Sequence, residues 1–374
     1  MKKAIWVSAL LIIGILVIAA AWTTRRDAES IRIGAALGLS GYCASWGEGE
    51  LHAIQLAVAE ANEKGGINGK QIELVVEDMA CDAKATVNAA IKLVDADHVA
   101  AVIGPTWGDA FQGVFSVMNE RRVAIVSPSM AMESLVHDGT VSDYVFSTWF
   151  PQQGEVDALE TYIAASGNKN IVILHDEDTF GSTMAALFEE RAPAHGLSIS
   201  KSYKFPLGFS DFRTSIVELK SIHSDGIFAV FANPATKAKF FKQAKDLGLD
   251  VKFFNLTDIE DATLVENFGS ALEGVIYTHG RTTKNGEVFQ EKYAATYNGV
   301  PVGLSGLNAY DATNVLIEAL RKTDGKRAGV REALLDVSIP GTVAEEVSFN
   351  EKHQIRNIEF VIKTIKDGKF VEIE

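Results

Sequence analysis

Three acidic residues and a cysteine follow one strand-like segment of the chain. Residues 72–76 are mostly apolar, and Glu77, Asp78, Cys81 and Asp82 come directly after them. Carboxylates at a strand end could serve in acid–base chemistry or in ligand binding. They could equally be solvated loop residues, which is the commoner role of a charged side chain in a loop. The rest of the sequence has to decide between these roles.

A second group that could do chemistry is His175-Asp176, at the end of another strand-like segment. A histidine there could act as a general base, although a packing or capping role is commoner. The chain contains no G-x-x-x-x-G-K-[ST], G-x-G-x-x-G, H-E-x-x-H or C-x-x-C motif. The GLSG at residues 38–41 and 303–306 lacks the spacing of a nucleophile elbow. We therefore predict that the protein is not an enzyme and has no catalytic residue, metal site or cofactor.

Residues 1–30 are predicted to be an export segment with a short linker. Lys2 and Lys3 precede an apolar run over residues 4–21, which ends in three alanines suited to signal-peptidase cleavage. The run also approaches the roughly 17–25 residues that span a bilayer, so a retained membrane anchor stays open beside a cleaved signal peptide. Either alternative predicts that the rest of the chain lies outside the cytoplasm.

Length and composition indicate a globular protein of about two domains. The chain has 374 residues, of which 47% are hydrophobic and 22% charged. The net charge is −14 and no Lys/Arg-rich run occurs, which argues against a nucleic-acid partner.

Strand-like and helical segments alternate twice along the chain, which predicts an α/β fold with parallel sheets and helices on both faces. Predicted strands in the first half are residues 31–37, 72–76, 99–103 and 123–126, and in the second half 171–175, 197–203, 227–231, 251–255 and 274–278. Predicted helices between and after them are residues 50–64, 83–95, 109–120, 152–166, 182–195, 212–223, 237–247, 288–297, 307–322 and 329–335. Residues 358–365 and 370–373 end the chain as a strand pair.

Ligands of open parallel sheets bind at the carboxyl ends of the strands, so the loops that follow the strands are the candidate site. Two such edges facing each other would form an interdomain cleft. Trp46 and Trp107 lie in these loops and could stack on a planar or apolar ligand, or could simply plug the surface of a lobe.

The chain resembles the extracytoplasmic solute-binding proteins of branched-chain amino acid ABC transporters. The resemblance is carried by four segments in this order: NEKGGINGKQIELVVEDMACD, AAVIGP, VAIVSPS and IVILHDEDTFG. These proteins are leucine-binding-protein-like and have the type I periplasmic-binding fold. The resemblance covers about residues 31–374. It implies two Rossmann-like lobes that close by hinge motion. Three crossovers are expected near residues 147–150, 277–281 and 338–341. Lobe 1 would then comprise about 31–147 and 280–338, and lobe 2 about 150–278 and 341–374.

The resemblance also implies a function. It predicts a monomer that binds an amino acid, or a related small carboxylate or amide, in the cleft between the lobes. The partners would be this small-molecule ligand and the permease subunits of an ABC transporter. A membrane-anchored ectodomain that senses a ligand for signalling would have the same fold and remains the alternative.

The resemblance implies that this chain keeps only some of the residues that bind the ligand carboxylate in the family. The family uses a serine after the third strand and an S-x-x-x-T-like segment after the fourth. The first position falls here near Gly108, and the segment begins at Ser127 and keeps Ser129. Ala131 stands where the threonine is expected. We therefore expect backbone N–H groups and Ser129 to hold an acidic group.

Residues for the rest of the ligand are also implied by the resemblance. The acid that usually pairs with the ligand ammonium falls near Thr257, which cannot neutralise a charge. Asp258 beside it, or Asp109 in the first lobe, would be the substitute if either points inward. The lower-lobe aromatic residue falls on Phe180.

Cys43 and Cys81 are the only cysteines of the sequence. Family members often pair the cysteine at the position of Cys81 with one after the third strand, and Trp107 occupies that place here. In an oxidising compartment we therefore expect a disulfide between Cys81 and Cys43. Two free, buried thiols are the alternative.

Overall fold

The computed structural model describes residues 30–106, 111–134 and 142–373. The strands are β1 (Ile31–Leu37), β2 (Ile72–Asp78), β3 (Ala101–Ile103), β4 (Ile125–Ser127), β5 (Val145–Ser147), β6 (Asn170–Asp176), β7 (Ser198–Phe205), β8 (Gly226–Val230), β9 (Lys252–Asn255), β10 (Ile276–Gly280), β11 (Phe360–Lys366) and β12 (Lys369–Ile373). The helices are α1 (Ala44–Glu63), α2 (Ala83–Ile91), α3 (Phe111–Arg121), α4 (Gln152–Ala165), α5 (Thr179–Arg191), α6 (Arg213–Leu219), α7 (Pro234–Asp246), α8 (Ala262–Leu272), α9 (Lys284–Thr296), α10 (Gly306–Lys322) and α11 (Val330–Leu335). Shorter helical turns cover Lys92–Ala96, Met132–Ser134, Ala192–His195 and Thr257–Ile259.

Within the described residues the strands form two separate sheets. The first has five parallel strands in the order β2-β1-β3-β4-β5, and the second has seven in the order β12-β11-β10-β9-β8-β6-β7. In the second sheet, β6 to β10 pair in parallel, whereas β11 pairs antiparallel with both β10 and β12. The predicted α/β class with parallel sheets is confirmed.

Apolar side chains cover both faces of each sheet, as a parallel sheet requires. In the first sheet, Leu93 and Met118 pack with one set of strand residues, and Leu316 packs with the other. The second sheet is covered by Phe188 on one side and Phe240 on the other. This coverage leaves the strand ends as the places where polar loops can meet a ligand.

After β6–β10 of the second sheet, the polypeptide passes back to the first sheet. Helix α10 packs along α1 and contacts β3 and β4, and β11 then pairs with β10 of the second sheet. Between them, the amide of Ser147 donates to the His353 carbonyl, and the amide of Ile355 donates to the Ser147 carbonyl, both at 2.9 Å. Residues 353–355 therefore lie on the edge of the first sheet, because the outer side of β5 has unpaired backbone groups.

This contact bears on the predicted lobe boundaries. We expected the third crossover near residues 338–341 and lobe 2 from 341 onward. The hydrogen bonds of residues 353–355 instead keep the chain with the first sheet beyond that point, and β11 begins the second sheet again at Phe360. The division of the chain into lobes otherwise stays a prediction.

Some elements differ from the predicted ones. Strand β5 and helix α8 were not predicted, and α1 begins at Ala44 rather than at residue 50. Two glycines in the first turns of α1 weaken its sequence signal. They are needed for close packing: a Cβ on Gly47 would lie 2.1 Å from the carbonyl oxygen of Gly38, and one on Gly49 would lie 3.0 Å from the Cα of Gly303.

Asp78, at the end of β2, and Asp82, in the loop that follows, have structural roles. Asp78 accepts hydrogen bonds from the amides of Leu39, Ser40 and Ala80 at 2.7–3.2 Å. Asp82 caps α2 by accepting from the amide of Ala85 at 2.9 Å. These contacts tie the β2 loop to the β1 loop.

A disulfide also joins these two loops. Cys43 and Cys81 are bonded, with 6.0 Å between their Cα atoms and a sequence separation of 38. The bond holds the start of α1, and with it Trp46, against the rim formed after β2.

Residues 4–21, for which we predicted a signal peptide or an anchor, lie outside the described residues. Within residues 30–106, 111–134 and 142–373, no helix has the length and apolar character needed to span a membrane.

The disulfide leads to a stability prediction. Replacing both residues, Cys43→Ser with Cys81→Ser, should lower the free energy of unfolding by roughly 3–4 kcal/mol, because the covalent link restricts the unfolded chain. Urea unfolding followed by circular dichroism measures the change, with the wild-type protein in reducing agent as the comparison. Equal urea midpoints for the variant and the oxidised wild-type protein would contradict the prediction.

Candidate ligand-binding cleft

A cavity lies between the carboxyl ends of the two sheets and contains about 360 Å³ of empty space, open solvent included. Its lining residues are Trp46, Ser129, Ala131, Trp149, Phe180, Asp258, Leu304 and Ser305. Several follow strand ends: Trp46 follows β1, Ser129 follows β4 and Phe180 follows β6. The wall therefore combines aromatic rings with a few polar groups, which suits a small ligand with an apolar body.

The two lobes touch across this cavity. The indole Nε1–H of Trp46 donates to Asp261 Oδ2 at 3.2 Å. The other carboxylate oxygen of Asp261 accepts from the amides of Thr263 and Leu264 at the start of α8, which fixes its position. Since Trp46 follows β1 of the first sheet and Asp261 follows β9 of the second, this bond links the two lobes directly.

Glu50 lies behind the first-lobe wall and is fully buried. The hydroxyl of Ser305 donates to Glu50 Oε1 at 2.6 Å, and the hydroxyl of Thr106 donates to Oε2. Burial raises the pKa of Glu50 to about 7, although the hydrogen bonds from Ser305, Thr106 and Ser129 act in the opposite direction. Glu50 thus orients both Ser129 and Ser305 beside the cavity.

A buried ion pair forms the second-lobe wall. Lys237 Nζ lies 2.5 Å from Asp258 Oδ2 and 2.8 Å from the backbone carbonyl oxygen of Asp258. The Lys237 side chain is 1% exposed and that of Asp258 is 9% exposed. Burial raises the pKa of Asp258, and Lys237 works against this rise. Within the described part of the chain, Asp258 Oδ1 has no hydrogen-bond partner.

Other acids lie below this wall. The carboxyl of Glu155 accepts from the amide of Thr257 at 2.6 Å. Burial raises the pKa of Glu155 to about 8 and that of Asp176 to about 6. The site thus lies above buried carboxyl groups, and burial favours the protonated, uncharged form of each.

The cavity brings together five of the residues predicted as ligand contacts: Trp46, Ser129, Ala131, Phe180 and Asp258. Trp107, Gly108 and Asp109 lie outside the described residues. The contacts of all these residues with a ligand remain predictions.

Ser127 and Thr257 are not among the lining residues. The hydroxyl of Ser127 donates to the Pro105 carbonyl at 2.8 Å, and that of Thr257 donates to the Thr278 carbonyl at 3.1 Å. Both side chains are fully buried, because each bonds a neighbouring strand end or loop. Their hydroxyls support the loops of the cleft.

Sequence reasoning missed three residues that line the cleft, Trp149, Leu304 and Ser305. It also missed two buried residues behind the wall, Glu50 and Lys237. The second GLSG segment, at residues 303–306, was a usable signal, since it supplies both Leu304 and Ser305. Trp149 lies within the first predicted crossover. Glu50 and Lys237 read as ordinary polar positions on amphipathic helices, so their burial carried no sequence signal.

The raised pKa of Glu50 predicts a pH dependence of stability. Its ordinary value is 4.5, so between about pH 4.5 and 7 the folded protein holds a proton that the unfolded chain releases. Raising the pH through this window should therefore lower the free energy of unfolding, by on the order of 3 kcal/mol from Glu50 alone.

Urea unfolding at pH 5 and pH 8 measures this loss. The Glu50→Gln variant should lose less stability between these two values than the wild-type protein. Glu63→Gln, at an exposed position of the same helix, is the matched control. An identical loss in Glu50→Gln and wild type would show that Glu50 is not the group responsible.

The family model described as periplasmic binding protein matches residues 30–369. A leucine-, isoleucine-, valine-, threonine- and alanine-binding protein of Pseudomonas aeruginosa is 25% identical, with 93% of each chain covered. A branched-chain amino acid transporter substrate binding protein from Streptococcus pneumoniae, solved in complex with isoleucine, has a TM-score of 0.83 and 23% identity over 92% of this chain and 99% of its own. A solute binding protein from R. palustris in complex with benzoate has a TM-score of 0.82 and 18% identity over 92% of this chain and 96% of its own. These similarities confirm the resemblance seen in the sequence, and the chain belongs to the periplasmic binding protein family.

Proposed function

We propose that this protein binds a small molecule in the cleft between its lobes and delivers it to the permease of an ABC transporter. The observation that carries the proposal is the cavity whose wall combines residues of both lobes, such as Trp46 and Asp258. A ligand that touches both lobes is bound more tightly by the closed form, so it shifts the population toward closure. Closure then distinguishes the loaded protein from the empty one for a membrane partner.

The ligand class follows from the lining and from the relatives. Trp46, Trp149 and Phe180 offer an apolar, aromatic wall, while Ser129, Ser305 and Asp258 offer polar contacts. The Pseudomonas relative is named for amino acids with small or branched aliphatic side chains. We propose an amino acid, or a related small carboxylate or amide, as the ligand. Binding and release without chemical turnover would suffice for this role.

The location follows from the family and from the N-terminal sequence. We infer that the folded part works outside the cytoplasm as a monomer. Residues 4–21 would direct its export, or would anchor it beside the permease. Mass measurement of the protein purified from its native membrane fraction would separate a cleaved signal peptide from a retained anchor.

Closure can be measured directly. Small-angle scattering with and without saturating ligand should show a smaller radius of gyration in the bound state. Calorimetry with leucine, benzoate and aliphatic amides identifies a solute to use, and mass spectrometry after incubation reports whether that solute is altered. An unchanged scattering profile at saturation, or conversion of the ligand, would contradict the proposal.

The contact between the lobes provides a second test. Trp46→Phe keeps an aromatic ring but removes the hydrogen bond to Asp261, which stabilises only the closed form. A hydrogen bond to a charged group is worth about 1.5–3 kcal/mol, so ligand affinity should fall about tenfold or more. Calorimetry gives the affinity, and the free energy of unfolding without ligand is the control for folding. Unchanged affinity in a folded variant would exclude the bond as part of closure.

A further inference from the structure

A buried ammonium group of the protein lies directly behind the wall of the cleft. Lys237 lies in the first turn of α7, and its Nζ binds both a carboxylate oxygen and the backbone carbonyl of Asp258. Asp258 in turn lines the cavity. A carboxylate in this position could neutralise the ammonium of a bound amino acid. Here, however, the carboxylate of Asp258 is already paired with the ammonium of Lys237.

A ligand ammonium would find no other free counter-charge among the described lining residues, since Asp258 is the only carboxylate in that set. Asp261 is engaged by Trp46 and by the start of α8. Glu50 stands behind the wall and is occupied by hydroxyl donors. Burying a cation without a counter-charge is strongly unfavourable, so a charged amine is disfavoured.

A ligand carboxylate would also lack a positively charged partner among the described lining residues. The lining residues that the structure describes include no lysine or arginine. The carboxylate of Asp258, which itself lines the cavity, would oppose a further negative charge beside it. The charges around the cavity therefore favour a neutral ligand.

One polar feature remains to be satisfied. Asp258 Oδ1 is buried and, among the described residues, accepts no hydrogen bond. A buried acceptor without a donor is costly, so a ligand that donates an N–H to it gains more than one that cannot. A carboxamide supplies such a donor without bringing a charge, and its apolar body would contact Trp46, Trp149 and Phe180.

We propose that Lys237 is a specificity-determining residue that takes the place of the ligand ammonium, so that the cleft selects a neutral, carboxamide-type ligand over an amino acid zwitterion. This inference rests on the proposed function, because it assumes that the cleft binds the transported molecule.

Four ligands with closely related carbon skeletons test the inference by calorimetry: 4-methylpentanamide, leucine, 4-methylpentanoate and 3-methylbutylamine. The wild-type protein should bind the amide at least tenfold more tightly than each of the other three. In Lys237→Met the charge of Asp258 is no longer compensated by a lysine. The affinity for the amine should therefore rise at least tenfold relative to the affinity for the amide.

The matched control is Lys242→Met, which removes an exposed lysine paired with Asp246 on the same helix. It should leave the ranking of the four ligands unchanged. The double variant Lys237→Met with Asp258→Asn removes both charges and should also keep the amide first. If Lys237→Met does not fold, as circular dichroism would report, the wild-type and double-variant rankings decide.

Leucine binding more tightly than the amide to the wild-type protein would overturn the inference. The inference would also be overturned if the affinity for the amine, relative to the amide, changed equally in Lys237→Met and Lys242→Met. Absence of binding by all four ligands would also overturn it, while compaction with a different solute in the scattering experiment would leave the proposed function standing.

Discussion

Parallel pairing of the strands is the constraint on which the rest of this structure depends. Because β1, β3 and β4 run in one direction, every loop that follows them emerges at the same edge of the first sheet. The same holds for β6, β8 and β9 in the second sheet. Residues far apart in the sequence, such as Trp46 and Asp258, therefore meet in one cavity.

The first-lobe side of the cavity rim is held by a covalent cross-link, whereas the contact across the cleft is a hydrogen bond. In the first lobe, the Cys43–Cys81 disulfide and the carboxylate of Asp78 hold the loops after β1 and β2 together. Between the lobes, a contact such as the Trp46–Asp261 bond can break when the domains separate. A firm rim and a reversible contact across the cleft are the combination that hinge closure on a ligand requires.

Charge beneath the cavity is arranged by burial. Removal from water favours the neutral form of Glu50 and Glu155, while Lys237 and Asp258 are retained as a mutually compensated pair. The described lining thus presents hydroxyls, aromatic rings and one unsatisfied carboxylate oxygen. Hydrogen-bonding groups and an apolar shape, rather than a free charge, are therefore what the described lining offers a ligand.

The sequence by itself determined the α/β class, most strands and helices, the family and part of the cleft, including Trp46, Ser129 and Phe180. Alternating apolar segments and strand-end loops are local patterns, so they can be read along the chain. Tertiary structure alone decided the early start of α1, where close packing against Gly303 and Gly38 requires the glycines. It also decided the short strand β5, the return of residues 353–355 to that strand, and the pairing of Lys237 with Asp258. These features depend on contacts between distant residues, and the burial that gives Lys237 its role arises only when α7 packs against the loop after β9.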